Sequence, residues 1–152
     1  MLLMRNITCM ERCDPKQLLH DAGIRVTRKK TAVLDAIIEG GEPLCARELH
    51  SRLALTMTID PVTVYRTLAV LRDAGIVREV DGASGIQYYE MACHHNPEHP
   101  HFRCMRCMKI ECLPSLRDDE AEALSSAAEG REVREISITL TGLCADCLGK
   151  EP

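Results

Sequence analysis

Apolar residues recur every three or four positions through the first half of the chain, which is the spacing of amphipathic helices. Capping residues and glycines bound these stripes, and together they predict helices over residues 15–22, 28–39, 43–53 and 61–73. Asp60 followed by Pro61 is the strongest start signal, because Asp caps helices and proline suits the first helical position. Residues 76–80 and 86–90 then predict two strands joined by a turn. Helices followed by a hairpin are typical of a winged helix-turn-helix.

The pattern changes from Met91 onward, where Cys, His and Pro become frequent. Apolar segments there predict strands at residues 102–103, 108–113 and 135–140. An acidic helix over residues 114–129 is expected to end at Gly130. The sequence therefore predicts an α+β chain with three parts: a winged-helix domain over residues 1–90 with an ordered core from about 14, a hinge at 91–97, and a small α/β domain over 98–152.

The composition fits a folded protein with metal-binding thiols. Of the 152 residues, 45% are hydrophobic and 28% are charged, and no run of 18 apolar residues predicts a membrane span. No signal segment is found over residues 1–15, so we expect a cytoplasmic protein with no membrane partner. Thiols stay reduced in that compartment, so the nine cysteines favour metal binding over disulfides.

The net charge of −4 argues against a nucleic-acid partner when the chain is taken as a whole. Its distribution changes that conclusion, because residues 1–92 contain 12 basic and 12 acidic side chains and the rest contain 7 and 11. The excess acid therefore lies in the second half. The helical half contains a basic run suited to phosphate contacts, which comprises Arg25, Arg28, Lys29 and Lys30.

The helix predicted from Pro61 has an apolar and a polar side. Val64, Leu68 and Leu71 fall at helical spacing on the apolar side. The other side presents donors that suit phosphates and major-groove base edges, namely Thr63, Tyr65, Arg66 and Thr67. With the hairpin that follows, this pattern predicts a recognition helix that binds double-stranded DNA.

Two Cys-x-x-Cys motifs give the most specific chemical prediction. Each turn can place two thiolates on one metal ion, and two turns complete a tetrahedral zinc site. The motifs supply Cys104, Cys107, Cys144 and Cys147. Four thiolates leave no open position, so we expect a structural Zn(II) rather than a catalytic one. A redox dithiol and four buried thiols without metal are the alternatives.

Four histidines lie just before the first motif: His94, His95, His99 and His101. His99 and His101 are two residues apart, so on a strand they face the same side and can share one ion. Residues that could complete this site are Glu90, Cys112 and Cys93, and a histidine-rich loop without a specific ligand is the alternative. A Cys112 thiolate would favour Zn(II), since Fe(II) and Mn(II) prefer oxygen and imidazole.

Four segments are specific in combination: AGIRVT at 22–27, TVYRTL at 63–68, HPHFRCMRC at 99–107 and GLCADC at 142–147. In this order, over roughly residues 14–148, they resemble the ferric uptake regulator (Fur) family of bacterial metal-responsive repressors. The resemblance implies a homodimer that binds palindromic half-sites, with the second half as its dimerisation domain. It also implies a structural zinc at the four cysteines and DNA contacts by Arg25, Tyr65 and Arg66. A regulatory divalent metal is further implied between the domains, where its ligands would be Glu90, His99 and His101.

Two departures from the family pattern bear on the metal that is sensed. Cys112 stands where the family usually has a carboxylate, which favours a zinc uptake regulator over the iron- and peroxide-sensing members that are the alternative. The family's helical-domain histidine would fall near Glu42 and Pro43, where this chain has none. Further candidates for the regulatory site are Cys93, His94 and His95.

Functions of other classes require features that this sequence supplies only in part. A zinc hydrolase or deaminase needs an open metal position beside a glutamate base, and Glu98 adjoins His99, but Pro97 and Pro100 break any helix there. A thiol redox switch would release zinc and form disulfides. The sequence assigns no role to Cys9, Cys13 and Cys45.

Overall fold

The computed structural model describes residues 13–134 and 136–150, in two compact units divided between Asn96 and Pro97. The N-terminal unit contains α1 (Pro15–Asp21), α2 (Arg28–Gly40), β1 (Leu44–Cys45), α3 (Ala46–Leu53), α4 (Pro61–Asp73), β2 (Val77–Asp81) and β3 (Gln87–Met91). The C-terminal unit contains β4 (His101–Cys104), β5 (Ile110–Cys112), α5 (Asp118–Ser126), β6 (Thr139–Gly142) and α6 (Ala145–Leu148). These elements confirm the α+β class. Within the described ranges, no helix is long and apolar enough to cross a membrane.

Three polar side chains begin the helices where the sequence predicts. Asp14, Thr27 and Asp60 each accept a hydrogen bond from a backbone N–H in the first turn of α1, α2 and α4, respectively. Each cap satisfies a donor that has no partner within its helix. Gly41 follows α2 with a left-handed φ of 65°, which ends that helix. Local signals therefore explain the bounds of these helices.

The α3 and α4 helices form the helix-turn-helix. His50 Nε2 lies 3.0 Å from the carbonyl oxygen of Ile59, which ties α3 to the residue before the cap of α4. The α4 helix buries one face in the core of the N-terminal unit, formed by Val64, Thr67, Leu68 and Leu71. The burial of this face fixes the helix and leaves its opposite side in solvent.

The start of α3 differs from the sequence prediction of a helix from residue 43. Leu44 and Cys45 instead form a short strand that pairs with β3, and the helix begins at Ala46. The Glu48 carboxylate accepts a hydrogen bond from the Cys45 N–H at 2.9 Å. Pairing with a distant strand outweighs the local helical pattern here. The structure thereby gives the buried Cys45 a place in the fold, at the junction of β1 and α3.

The predicted hairpin is formed by β2 and β3, in a sheet of order β1-β3-β2. Its connection uses left-handed backbone at Ser84 and Gly85, with φ of 58° and 74°. A Cβ on Gly82 would lie 2.5 Å from the carbonyl oxygen of Ile86 and from the ring of Tyr88. Glycine at position 82 is therefore required by the close approach of the two strands.

The C-terminal unit is a three-stranded sheet of order β5-β4-β6. The β4 strand pairs antiparallel with β5 and parallel with β6. Its elements differ in length from the sequence prediction. The α5 helix is shorter than the predicted 114–129, and β5 is shorter than the predicted 108–113. The β6 strand begins at Thr139, whereas the predicted strand begins at residue 135, which lies outside the described residues. None of the residues of α5 is buried. Apolar spacing is a weak guide to the bounds of a unit that buries so few apolar side chains.

Candidate metal centres and recognition helix

The two Cys-x-x-Cys motifs meet in the C-terminal unit. The sulfur atoms of Cys104, Cys107, Cys144 and Cys147 all lie within 4.8 Å of one another. Those of Cys107 and Cys144 are 3.8 Å apart. A tetrahedron with Zn–S bonds of about 2.3 Å has edges of about 3.8 Å. Four sulfurs at this spacing fit Zn(II) and leave no position open for a substrate.

The sheet brings these motifs together, because Cys104 ends β4 and Cys144 follows β6, its parallel neighbour. The Cys144 backbone N–H also points at the Cys104 sulfur, 3.4 Å away. Arg106, within the first motif, donates hydrogen bonds to the carbonyl oxygens of Cys147 at 2.7 Å and of Lys150 at 2.6 Å. Backbone and side-chain hydrogen bonds therefore preorganise the four-cysteine site.

Hydrogen bonds and burial act in opposite directions on these thiols. Hydrogen bonds from the backbone N–H groups of Cys107 and Cys144 lower the pKa of the Cys104 thiol to about 6. Burial raises the pKa of the Cys144 and Cys147 thiols. Zinc binds thiolates, so metal binding must displace protons from the buried thiols, and the affinity of the site rises with pH.

A second group of metal-ligating side chains lies on β4 and β5. His101 is directly opposite Cys112 in the strand register, and the ring centroids of His99 and His101 are 4.6 Å apart. The ligand atoms of His99, His101 and Cys112 lie within 4.8 Å of one another. His99 Nδ1 donates to the Pro97 carbonyl oxygen at 2.8 Å, which orients its ring. Two imidazoles and one thiol are thus placed to share a transition-metal ion.

Glu90, the fourth candidate ligand for this site, belongs to the N-terminal unit. It lies in β3, is 4% exposed, and accepts a hydrogen bond from Arg78 Nε at 2.7 Å. Arg78 also donates to the carbonyl oxygen of Asn96 at 2.7 Å. The buried carboxylate is therefore compensated by a cation within its own unit, and its role as a metal ligand stays a prediction.

The exposed side of α4 presents part of the predicted DNA-binding set. Tyr65 is 58% exposed, and Arg66 is also exposed. Thr63 is half-buried, and its hydroxyl donates to the carboxylate that caps the helix. The expectation that Thr67 faces solvent is wrong, because it follows Val64 by three residues on the same face and is buried with it. The polar face is therefore narrower than predicted.

The predicted basic run lies at the start of α2. Arg25, Arg28 and Lys29 are exposed, while Lys30 is half-buried and donates to the Arg25 carbonyl oxygen at 3.2 Å. Hydrogen bonds from Thr63 lower the pKa of Asp60, and the charge of Lys29 lowers it further. Lys29 therefore lies close enough to the Asp60 cap of α4 for its charge to stabilise the carboxylate.

Comparison with known proteins decides the family. The model of the ferric uptake regulator family matches residues 21–141. The chain belongs to the ferric uptake regulator family. Members of this family are DNA-binding transcription regulators.

Similar Fur-family proteins extend over nearly the whole chain. It is 29% identical over 133 residues to the peroxide-responsive repressor PerR of Staphylococcus saprophyticus, covering 87% of this chain and 88% of that protein. It is 29% identical over 137 residues to the ferric uptake regulation protein of Synechococcus elongatus, covering 87% and 91%. The crystal structure of the Vibrio cholerae ferric uptake regulator matches with a TM-score of 0.72 and 27% identity, over 86% of this chain and 100% of that one.

One further group of ligand-type side chains in this Fur-family chain is not predicted from the sequence. The ligand atoms of Cys13, Cys93 and His95 lie within 4.8 Å of one another in the N-terminal unit. The His94 ring packs on that of His95, with centroids 3.7 Å apart. Cys13 and Cys93 are 80 residues apart, so no local spacing indicates their contact. Cys9 lies outside the described residues.

Proposed function

We propose that this Fur-family chain is a homodimeric, zinc-responsive repressor that binds double-stranded DNA when a regulatory metal is bound. The observation that carries the proposal is the convergence of His99, His101 and Cys112 in the C-terminal unit. Two imidazoles and a thiolate suit Zn(II), whereas Fe(II) and Mn(II) prefer oxygen ligands beside imidazole. The regulated genes therefore belong to metal homeostasis, with zinc as the signal.

The four-cysteine site is the proposed position of a separate, structural Zn(II). Its ligand set is complete without water, so an ion there supports the fold and takes no part in sensing. Binding of the structural ion is expected to be tight and to persist when the regulatory ion leaves. Regulation then depends on the second ion alone.

We propose that Glu90 is the ligand that the N-terminal unit contributes to the regulatory site. An ion held by Glu90 together with the histidine pair would restrict the hinge at residues 91–97. The restricted hinge fixes the spacing of two recognition helices, which palindromic half-sites require. The structure groups Cys93 and His95, two further candidates named from the sequence, with Cys13 instead, so we do not assign them to this ion.

Exposed apolar side chains in the C-terminal unit support the homodimer. Leu124, Val133, Leu140 and Leu148 are each at least 41% exposed in the single chain. The β6 strand, which carries Leu140, lies at an edge of its sheet. Within the described residues, the shorter C-terminal unit has as many exposed large apolar side chains as the N-terminal unit, which suits an interface with a second copy, so we assign dimerisation to residues 98–152.

The DNA contacts that we propose divide into two kinds. Tyr65 and Arg66 reach base edges from α4, assisted by Thr63. The basic run at the start of α2 contacts phosphates and positions the duplex through Arg25, Arg28, Lys29 and Lys30. Base contacts determine sequence preference, and phosphate contacts determine salt dependence.

Substitutions of Arg66 and Lys29 should separate these two kinds of contact. R66A is expected to weaken binding to the preferred duplex by about 1–3 kcal/mol, with less effect on unrelated DNA. K29A is expected to weaken binding to all duplexes and to lower the salt slope by about 1 per protomer. Fluorescence anisotropy over a salt series measures both, using a duplex selected from a random pool by the zinc-loaded protein. R117A, an exposed arginine of the C-terminal unit, is the control, and an equal loss in R117A would contradict the assignment.

Parallel metal titrations test the sensing function. The protein with its structural zinc is titrated anaerobically with Zn(II), Fe(II) or Mn(II), while binding to the selected duplex and bound metal per chain are recorded. We expect DNA binding to follow a zinc equivalent beyond the structural one, at lower free concentration for Zn(II) than for the other metals. DNA binding that is independent of this equivalent would refute metal gating.

Similarity to a peroxide-responsive repressor makes an iron-dependent peroxide sensor the second candidate. In such a sensor, peroxide would end DNA binding only when iron is bound. We expect the zinc-loaded protein to keep its DNA affinity after brief peroxide treatment. Iron-dependent inactivation, with binding activated by Fe(II) rather than by Zn(II), would favour this second candidate.

A further inference from the structure

The group formed by Cys13, Cys93 and His95 is separate from the four-cysteine site and from the proposed regulatory site. The proposed sensing function does not use it. The sulfur of Cys13 is 3.8 Å from that of Cys93 and 3.8 Å from Nδ1 of His95. All three residues are half-buried, and both cysteines pack against the core of the N-terminal unit. The two cysteines are therefore held against the folded unit, and all three side chains stay partly accessible to solvent.

Hydrogen bonds order the segment that supplies two of these side chains. The Asn96 N–H donates to the Cys93 carbonyl oxygen at 2.8 Å and closes a tight turn around His95. The Asn96 side-chain amide donates to the Met91 carbonyl oxygen at 2.8 Å, which anchors the turn to the end of β3. Cys13 directly precedes Asp14, the cap of α1. Each potential ligand thus comes from a backbone position that local hydrogen bonds already define.

We propose that Cys13, Cys93 and His95 form a third metal site for a thiophilic divalent cation of the Zn(II) type. The sulfur–sulfur distance matches the edge of about 3.8 Å in a tetrahedral zinc–thiolate site. Two thiolates and an imidazole are soft and borderline ligands, which select Zn(II) over Mn(II) or Mg(II). Three protein ligands leave the fourth position to water, so this site exchanges its ion more readily than the closed four-cysteine site.

An ion at this site would join the start of α1 to the segment after β3. Its ligands span 82 residues of the chain, so the ion closes nearly the whole N-terminal unit into a loop. The ordered turn also includes Asn96, whose carbonyl oxygen accepts from Arg78, the partner of Glu90. The site therefore secures both the helical core and the end of the hairpin strand that carries Glu90.

A disulfide between Cys13 and Cys93 is the alternative to a metal ion at this site. A disulfide has a sulfur–sulfur bond of about 2.0 Å, so the observed 3.8 Å describes two thiols and not a bond. A disulfide would also make no use of the His95 nitrogen, which lies as close to Cys13 as Cys93 does. The three-residue arrangement favours a metal, and the experiment below distinguishes the two occupants.

Metal counting on the whole 152-residue chain tests the site. Wild type, C13S, C93S and H95A are loaded with Zn(II) under reducing, anaerobic conditions and examined by native mass spectrometry. We expect each variant to bind about one zinc fewer than wild type. C45S is the matched control, because Cys45 is a buried cysteine of the same unit, and it should bind as much as wild type. Equal zinc content in wild type, C13S and C93S would overturn the proposal.

Alkylation of the unmodified protein gives a second, independent measurement that needs no variant to fold. Zn(II) is expected to protect Cys13 and Cys93 together from iodoacetamide, and a mild chelator should expose both before any of the four clustered cysteines. Peptide mapping reads each thiol separately. Recovery of a Cys13–Cys93 disulfide, with no protection by Zn(II), would overturn the metal site. Neither result depends on His99, His101 or Cys112, so a failure here leaves the proposed sensing function untouched.

Discussion

The C104S substitution is expected to remove zinc from the four-cysteine site and to unfold the C-terminal unit. Within residues 97–134 and 136–150, the buried apolar residues are Pro100, Ile110 and three of these cysteines. A core this small does not stabilise a unit of this size without a disulfide or a bound structural metal. Structural zinc supplies about 10–16 kcal/mol in zinc-finger peptides, as much as the whole stability of an ordinary domain. Zinc content by mass spectrometry and unfolding by calorimetry measure the loss.

C112S is the matched control for C104S, because Cys112 is a cysteine of the same sheet that lies outside the four-cysteine site. It should retain the structural zinc and the calorimetric transition of the C-terminal unit. Hydrogen exchange then locates the damage in C104S, with protection lost in β4–β6 and kept in the helices of the N-terminal unit. A C104S protein with full zinc content and unchanged unfolding would refute the structural assignment.

The double substitution H99A/H101A is expected to abolish metal-dependent DNA binding in a protein that still folds and dimerises. The two imidazoles are the central ligands of the proposed regulatory site, and their loss removes the preference of the ion for one hinge geometry. A preference of about 100-fold corresponds to about 2.7 kcal/mol, so the affinity for the selected duplex should fall by up to that factor. Anisotropy with and without added Zn(II) measures the change.

H20A is the control for this pair, because His20 is an exposed histidine on α1. It should retain the metal response of wild type. The structural zinc should remain in H99A/H101A, which separates loss of sensing from loss of fold. An unchanged stimulation by Zn(II) in the double variant would exclude His99 and His101 as regulatory ligands.

Features that neighbouring residues determine can be predicted from this sequence. The caps at Thr27 and Asp60 act within one helical turn, so their positions predict the starts of α2 and α4. The spacing within each Cys-x-x-Cys motif fixes two sulfurs at once, and a tetrahedral ion requires two such pairs. The four-cysteine site is therefore predictable without knowledge of the sheet that assembles it.

Features that depend on contacts between distant parts of the chain cannot be predicted from local patterns. The pairing of Leu44 with β3 converts a predicted helical turn into a strand. Cys13 meets Cys93 only because the helical core folds the chain back on itself. Contacts of this kind have no periodicity or spacing to indicate them.

The connection between the two Cys-x-x-Cys motifs has a consequence for chain length. Cys107 and Cys144 are 37 residues apart, and α5 within this span has no buried side chain. Closing a flexible loop of that size costs about 3–4 kcal/mol of polymer entropy, and doubling it adds only about 0.6 kcal/mol. The metal therefore tolerates insertions or deletions between the motifs far better than changes within either one. Within this span the α5 segment is free to diverge to suit the partner subunit, while β5 and β6 stay paired with β4 and keep the ligands in place.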